Sequence, residues 1–70
     1  MMPDTLYASL SAIRDEYRKR MNTATDAAQR YASKEEMDKV SEFSTEAERA
    51  REAFNAVNRS IATVESFYKD

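Results

Sequence analysis

The second half of the chain carries apolar residues at alternating steps of three and four positions. These residues are Val40, Phe43, Ala47, Ala50, Phe54, Val57, Ile61, Val64 and Tyr68. This spacing places them on one side of an α-helix and is the heptad pattern of helices that pack against other helices. Ser33 and Glu36 have the spacing of a capping box, which marks a helix start. The pattern predicts a helix over about residues 34–69.

The first half carries a similar apolar stripe, and its spacing is irregular at one place. The stripe consists of Leu6, Leu10, Ile13, Tyr17, Met21, Ala24, Ala28 and Tyr31. It predicts a helix over about residues 4–32, with Asp4 as a cap after Pro3. Two successive steps of four end at Met21, and weak helix formers follow it. We therefore expect a kink or a short break at residues 22–25.

The two stripes fit each other if the chain folds back near Ala32 and Ser33. Leu10 then lies opposite Val57 and Met21 lies opposite Ala47, so that bulky residues face small ones. We predict an all-α fold for residues 1–70, a single domain formed by a two-helix antiparallel coiled-coil hairpin that self-associates into a helical bundle. One uninterrupted helix is the alternative, because the turn has no glycine.

The composition favours helices and excludes several classes of protein. The chain has no Gly, no Cys and one Pro, so turn-rich β structure and disulfides are not expected. No apolar run exceeds three residues, which excludes a membrane span and the apolar stretch of a secretory signal within this sequence. We expect a cytoplasmic protein with no membrane partner.

Most catalytic and metal-binding chemistries lack their residues. Without His, Cys and Gly, the chain cannot build imidazole bases, thiolate nucleophiles, the usual zinc sites or phosphate-binding loops. Glu35, Asp38 and Glu42 share one helical face, which we interpret as a solvated acidic face, with a loose divalent-cation site as the alternative. We expect no enzymatic activity, no cofactor and no metal.

One basic segment makes nucleic-acid binding a weaker alternative. Its cations are Arg14, Arg18, Lys19 and Arg20. Arg14 and Arg18 lie one helical turn apart, a spacing that suits phosphate contacts. Asp15 and Glu16 are interleaved with them, and the chain has a net charge of −2. We therefore consider a nucleic-acid partner unlikely.

The end of the second helix is the predicted partner-binding surface. In the pairing described above, it extends beyond the start of the first helix, and no other part of the chain covers it. A stripe of small residues runs beside it, and Tyr7 lies about 100° away from the first apolar stripe. The predicted partner-binding residues are Tyr7, Ser60, Thr63, Val64, Phe67 and Tyr68.

These features favour a non-enzymatic protein-interaction module of the adaptor, chaperone or inhibitor type. Its partner would be another protein or a second copy, most simply in a dimeric four-helix bundle. In length and hairpin outline the chain resembles the needle subunits and small needle chaperones of type III secretion systems, which implies a structural subunit or small chaperone as the alternative. The resemblance is limited to architecture, because Ala32, Ser33 and Lys34 replace the proline-containing turn of needle subunits.

Overall fold

Good helix formers and the absence of glycine give two long helices joined by a very short turn. The computed structural model describes residues 2–69. Helix α1 spans Asp4–Ser33 and helix α2 spans Met37–Phe67. The helices pack against each other along a rod of 54 × 16 × 11 Å. The all-α hairpin is therefore confirmed, and the alternative of one uninterrupted helix is wrong.

The turn is a helix-terminating motif that satisfies the last carbonyl groups of α1. The N–H of Glu36 donates to the carbonyl oxygen of Tyr31, and the N–H of Glu35 donates to that of Ala32, both at 3.0 Å. This pair of hydrogen bonds is the Schellman motif, in which the residue after the C-cap adopts a left-handed conformation. That residue is Glu35, with φ of 60°, a conformation for which glycine is the usual choice.

The predicted capping interactions are not formed. Ser33 remains in α1, where its hydroxyl group donates to the carbonyl oxygen of Arg30 at 2.8 Å. Glu36 is the N-cap of α2 and makes no side-chain capping bond, so α2 begins at Met37 instead of near residue 34. Pro3 is the N-cap of α1, and Asp4 is its first residue. Both sequence-based caps were therefore assigned wrongly.

Helix α1 has no break at residues 22–25. The helix continues through the whole segment to Ser33. The hydroxyl group of Thr25 donates to the carbonyl oxygen of Met21 at 2.9 Å, so this weak helix former is bonded within the helix. Ala24 is only 3% exposed. Packing against α2 therefore overrides the poor helix propensity of this segment.

The side of α1 that faces α2 differs from the predicted stripe in its first half. Ile13 is 47% exposed, whereas the neighbouring Arg14 is half-buried. Counting back from Tyr17 in regular steps leads to Arg14 and Leu10, both half-buried, so the heptad frame of the second half of α1 continues back to residue 10. The predicted stripe left this frame at Ile13. The prediction that Ile13 lies in the interface between the two helices was therefore wrong.

The turn centred on Glu35 also moves the register by about one helical turn relative to a turn at Ala32 and Ser33. The rings of Tyr31 and Phe43 stack with their centroids 5.5 Å apart and their planes at 5°. The guanidinium group of Arg18 lies 5.8 Å from the centre of the Phe54 ring. Both contacts lie further along α2 than the predicted pairing would place them.

Candidate functional site

The open end of the hairpin, where α1 begins and α2 ends, contains the predicted binding residues. The chain itself covers part of this end. Met2 is only 8% exposed, Val64 is half-buried and Tyr68 is 40% exposed. The shifted register brings the start of α1 closer to the end of α2, so the expected uncovered overhang is wrong for Val64, whereas Tyr68 is still exposed. Phe67 is 83% exposed and remains in water.

A groove lies on one side of the open end. It encloses about 670 Å³ and is lined by Met2, Tyr7, Ala62, Ser66 and Tyr68 together with charged residues at its rim. The structure thus brings together Tyr7 and Tyr68, two of the predicted binding residues. The floor is apolar, and the rim carries both signs of charge from Asp4, Glu65 and Lys69. We call this feature the end groove.

The opposite side carries two rows of residues at intervals of seven, about two helical turns. One row lies on α1 and the other on α2. Two small clefts between the helices are each lined by Arg20 of the first row and Glu46 of the second. The two rows therefore lie on the same side of the hairpin. We call the two rows together the lateral face. On α1 the row is Leu6, Ile13 and Arg20, and it ends there because Ala27, at the next interval, is buried. On α2 the row is Lys39, Glu46, Ala53, Ser60 and Phe67.

The lateral face changes character along the rod. Towards the open end it is apolar, with Ile13 47% exposed, Phe67 83% exposed, and Leu6 and Ala53 half-buried. Nearer the turn it carries the charged residues Arg20, Lys39 and Glu46, all exposed. An apolar surface beside a charged one has the composition of a protein-binding surface with a polar border.

Hydroxyl groups near Phe67 are bonded within their own helix. The hydroxyl of Ser60 donates to the carbonyl oxygen of Ala56 at 3.0 Å, and that of Thr63 donates to the carbonyl oxygen of Arg59 at 2.9 Å. Their hydrogens are thus used, while the oxygen atoms can still accept a hydrogen bond. These short side chains leave room for another helix to approach α2 closely.

The structure therefore divides the predicted surface between two sides of the hairpin. Tyr7 and Tyr68 line the end groove, whereas Ser60 and Phe67 belong to the lateral face. The prediction did not include Ile13. Its signal was present in the heptad frame of Tyr17 and Met21, because that frame places Arg14 in the interface and Ile13 at its edge.

Arg14 occupies an interface position that an apolar residue would fill more easily. Its side chain is 25% exposed, and its Nε atom lies 3.7 Å from a carboxylate oxygen of Asp15, too far for a hydrogen bond. Neither this Nε atom nor the hydroxyl oxygen of Ser11 has a hydrogen-bond partner, although both atoms are buried. Such polar atoms weaken the interface between the two helices.

The arginines of the basic segment lie close to carboxylates of their own helix. Arg18 pairs with Asp15 at 3.4 Å, and Arg20 pairs with Glu16 at 3.4 Å. The guanidinium group of Arg20 also lies 5.4 Å from the centre of the Tyr17 ring. The two carboxylates offset two of the four positive charges of this segment.

The acidic residues near the turn do not form a shared site. Glu35 lies in the turn, not on the helical face with Asp38 and Glu42. Glu42 lies 3.9 Å from the ammonium group of Lys39. Within residues 2–69 no group of three or more carboxylates is arranged to hold a metal ion. Neither helix, as far as the structure describes it, is long and apolar enough to cross a membrane.

Comparison with known proteins gives no relative from which a function can be carried over. No protein-family model, no curated protein and no solved structure matches this chain.

Proposed function

We propose that this chain is a non-enzymatic protein-interaction module that binds its partner through the apolar part of its lateral face, at the open end of the hairpin. The observation that carries this proposal is the exposure of Phe67 and Ile13 on one side of a rigid helical pair. Phe67 is 83% exposed at the end of α2. Large aromatic side chains in such positions supply much of the binding energy in protein interfaces.

The total accessible surface supports the same proposal. A compact monomer of 8.1 kDa is expected to expose about 4,500 Å². The hairpin exposes 5404 Å². The excess of roughly 900 Å² follows from the elongated shape of a single helix pair, 54 × 16 × 11 Å, which leaves its long sides uncovered. A hairpin with this surface gains stability when a partner covers it.

The interior of the hairpin is correspondingly small. The buried residues among those described are Met2, Ala24, Ala27, Ala50 and Ile61. Three of the five are alanines, which contribute little apolar area. A chain of this size with so small a core usually needs association for stability. An adaptor, chaperone or inhibitor role is compatible with this surface, and the cytoplasmic location stays a prediction.

Substitution of Phe67 tests the proposal. Phe67→Ser should abolish partner binding or self-association without unfolding the hairpin, because this side chain makes little contact with the rest of the chain. Tyr68→Ser is the matched control in the next residue, which lies on the end groove. Binding would be measured by capture of proteins from source-cell extract and by sedimentation, and folding by circular dichroism. Unchanged binding by Phe67→Ser would contradict the proposal.

The alternative function is that of a subunit in a larger helical assembly. It differs from the proposed function in the number of copies that associate. A rod with an apolar side can pack laterally many times over, whereas a closed dimer stops growing. Light scattering over a concentration series distinguishes the two. Open-ended growth would favour the structural subunit, and a fixed mass would favour the module.

A further inference from the structure

We propose that the lateral face binds the lateral face of a second copy of this chain, giving a four-helix bundle with both turns at the same end. This inference rests on the proposed function and names the partner. In this arrangement the α1 row of each copy packs against the α2 row of the other. The two interfaces are identical because a two-fold axis runs along the bundle.

The order of residues along the two rows is self-complementary in this orientation. The apolar open ends meet, so Leu6 and Ile13 of one copy approach Ser60 and Phe67 of the other. Small residues at Ala53 and Ser60 leave space for Ile13. Bulky side chains thus face small ones across the new interface, as close packing of helices requires.

Charge complementarity favours the same orientation. With both turns at one end, Arg20 of each copy faces the α2 row that carries Glu46 of the other copy. Two cations and two anions then alternate around the bundle at the same level. Such complementary charges fix the orientation of an interface more than they strengthen it.

The opposite orientation brings unlike surfaces together. With the turns at opposite ends and full overlap, α1 of one copy runs along α1 of the other, and α2 along α2. Ile13 then lies between Arg20 and Ala27 of the other copy, and Phe67 approaches Lys39, so that apolar side chains meet exposed charges. The loss of apolar contact and the burial of charge both disfavour this arrangement.

The elongated shape also favours side-by-side association of two copies. The hairpin exposes about 900 Å² more than a compact monomer of its mass, because a rod of 54 × 16 × 11 Å leaves its long sides uncovered. A two-fold dimer through the lateral face covers one long side of each copy.

A single spin label distinguishes the arrangements, because the chain has no cysteine of its own. Ser33→Cys places one label at the exposed end of α1 beside the turn. The proposed dimer predicts a label-to-label distance of about 15–30 Å, set by the spacing of neighbouring helices. Turns at opposite ends would give about 45 Å or more, the length of the helix, and would overturn the proposed orientation.

Two equally exposed residues provide a matched test of which side associates. Ile13 is 47% exposed on the lateral face, and Tyr7 is 44% exposed on the end groove. Ile13→Ser should weaken dimerisation by about tenfold or more, because the substitution occurs twice in each dimer. Tyr7→Ser should leave the dimerisation constant within about twofold. The reverse result would overturn the proposal.

Sedimentation separates failure of this inference from failure of the proposed function. Only monomer at about 100 μM would overturn self-association through the lateral face. If the parent chain bound a different protein and the Phe67→Ser variant did not, the proposed function would still be supported. If the parent chain formed a dimer that Phe67→Ser and Ile13→Ser both weakened, the self-docking would be supported.

Discussion

The half of the hairpin near the turn buries small side chains between its helices, whereas the half at the open end leaves large apolar side chains exposed on its lateral face. Near the turn the contacts are close, with Ala24 and Ala27 at most 5% exposed and the rings of Tyr31 and Phe43 stacked. At the open end Met2 and Ile61 are also buried, but large side chains of the lateral face are poorly covered. Ile13 and Phe67 are 47% and 83% exposed.

The difference shows what two helices alone can bury. A pair of helices covers only the positions that face the partner helix, and each flanking row stays in contact with water. Alanine suits the turn half because it brings the helices close together. Large apolar residues in the flanking rows of the open half gain little from the hairpin itself. They would gain more from a further helix pair.

The largest effect is expected from enlarging an alanine in the interface. Ala50 is 7% exposed, whereas Ala53 is half-buried on the lateral face. Ala50→Leu should lower the free energy of unfolding by about 1–3 kcal/mol, because Ala50 is buried and Tyr17 lies beside it. Urea denaturation followed by circular dichroism measures the change. Ala53→Leu, the control, should be close to neutral in the monomer. Equal destabilisation by both would remove the distinction between interface and lateral face.

A smaller effect, of the opposite sign, is expected at Arg14. Arg14→Met keeps an unbranched side chain while it removes a partly buried guanidinium group that lacks a hydrogen-bond partner at Nε. The free energy of unfolding should rise by about 1 kcal/mol. The exposed Lys19→Met is the control and should change it by less than about 0.5 kcal/mol. All variants must be compared at one protein concentration, since association also stabilises the fold. A loss of stability in Arg14→Met would mean that the guanidinium group supports the interface.

The smallest effect is expected in the turn. Glu35→Gly should raise the free energy of unfolding by about 0.5–1 kcal/mol, because glycine adopts the left-handed conformation without steric cost. Thermal unfolding at a fixed concentration measures it. Glu36→Gly should not stabilise, since Glu36 has a φ of −88°. If Glu35→Gly were destabilising, the turn would have a different conformation in solution.

The sequence was sufficient to predict the hairpin but not its turn. Apolar spacing predicted two helices, and the fit between bulky and small residues predicted that they fold back. The capping box at Ser33 and Glu36 was misleading because these side chains compete with a backbone motif that needs no capping side chain. A glutamate in the left-handed position gives no signal in the sequence.

The candidate site was only partly predictable for a related reason. Phe67 could be identified because it lies outside the main apolar frame of α2. Hydrophobicity alone assigns the wrong residue of the pair Ile13 and Arg14 to the interface between the helices, because it favours the apolar Ile13. The continuous heptad frame of α1 selects Arg14 instead, and only the structure shows that the frame prevails.

Hydroxyl-radical footprinting at two concentrations tests the central claim most directly. Between about 1 μM and 100 μM, labelling of Ile13 and Phe67 should fall several-fold as the lateral faces cover each other. Met37, 65% exposed at the turn end, and Tyr7, on the end groove, should keep the same labelling. Labelling of Ile13 and Phe67 that does not change with concentration, or falls equally at all four residues, would contradict the account.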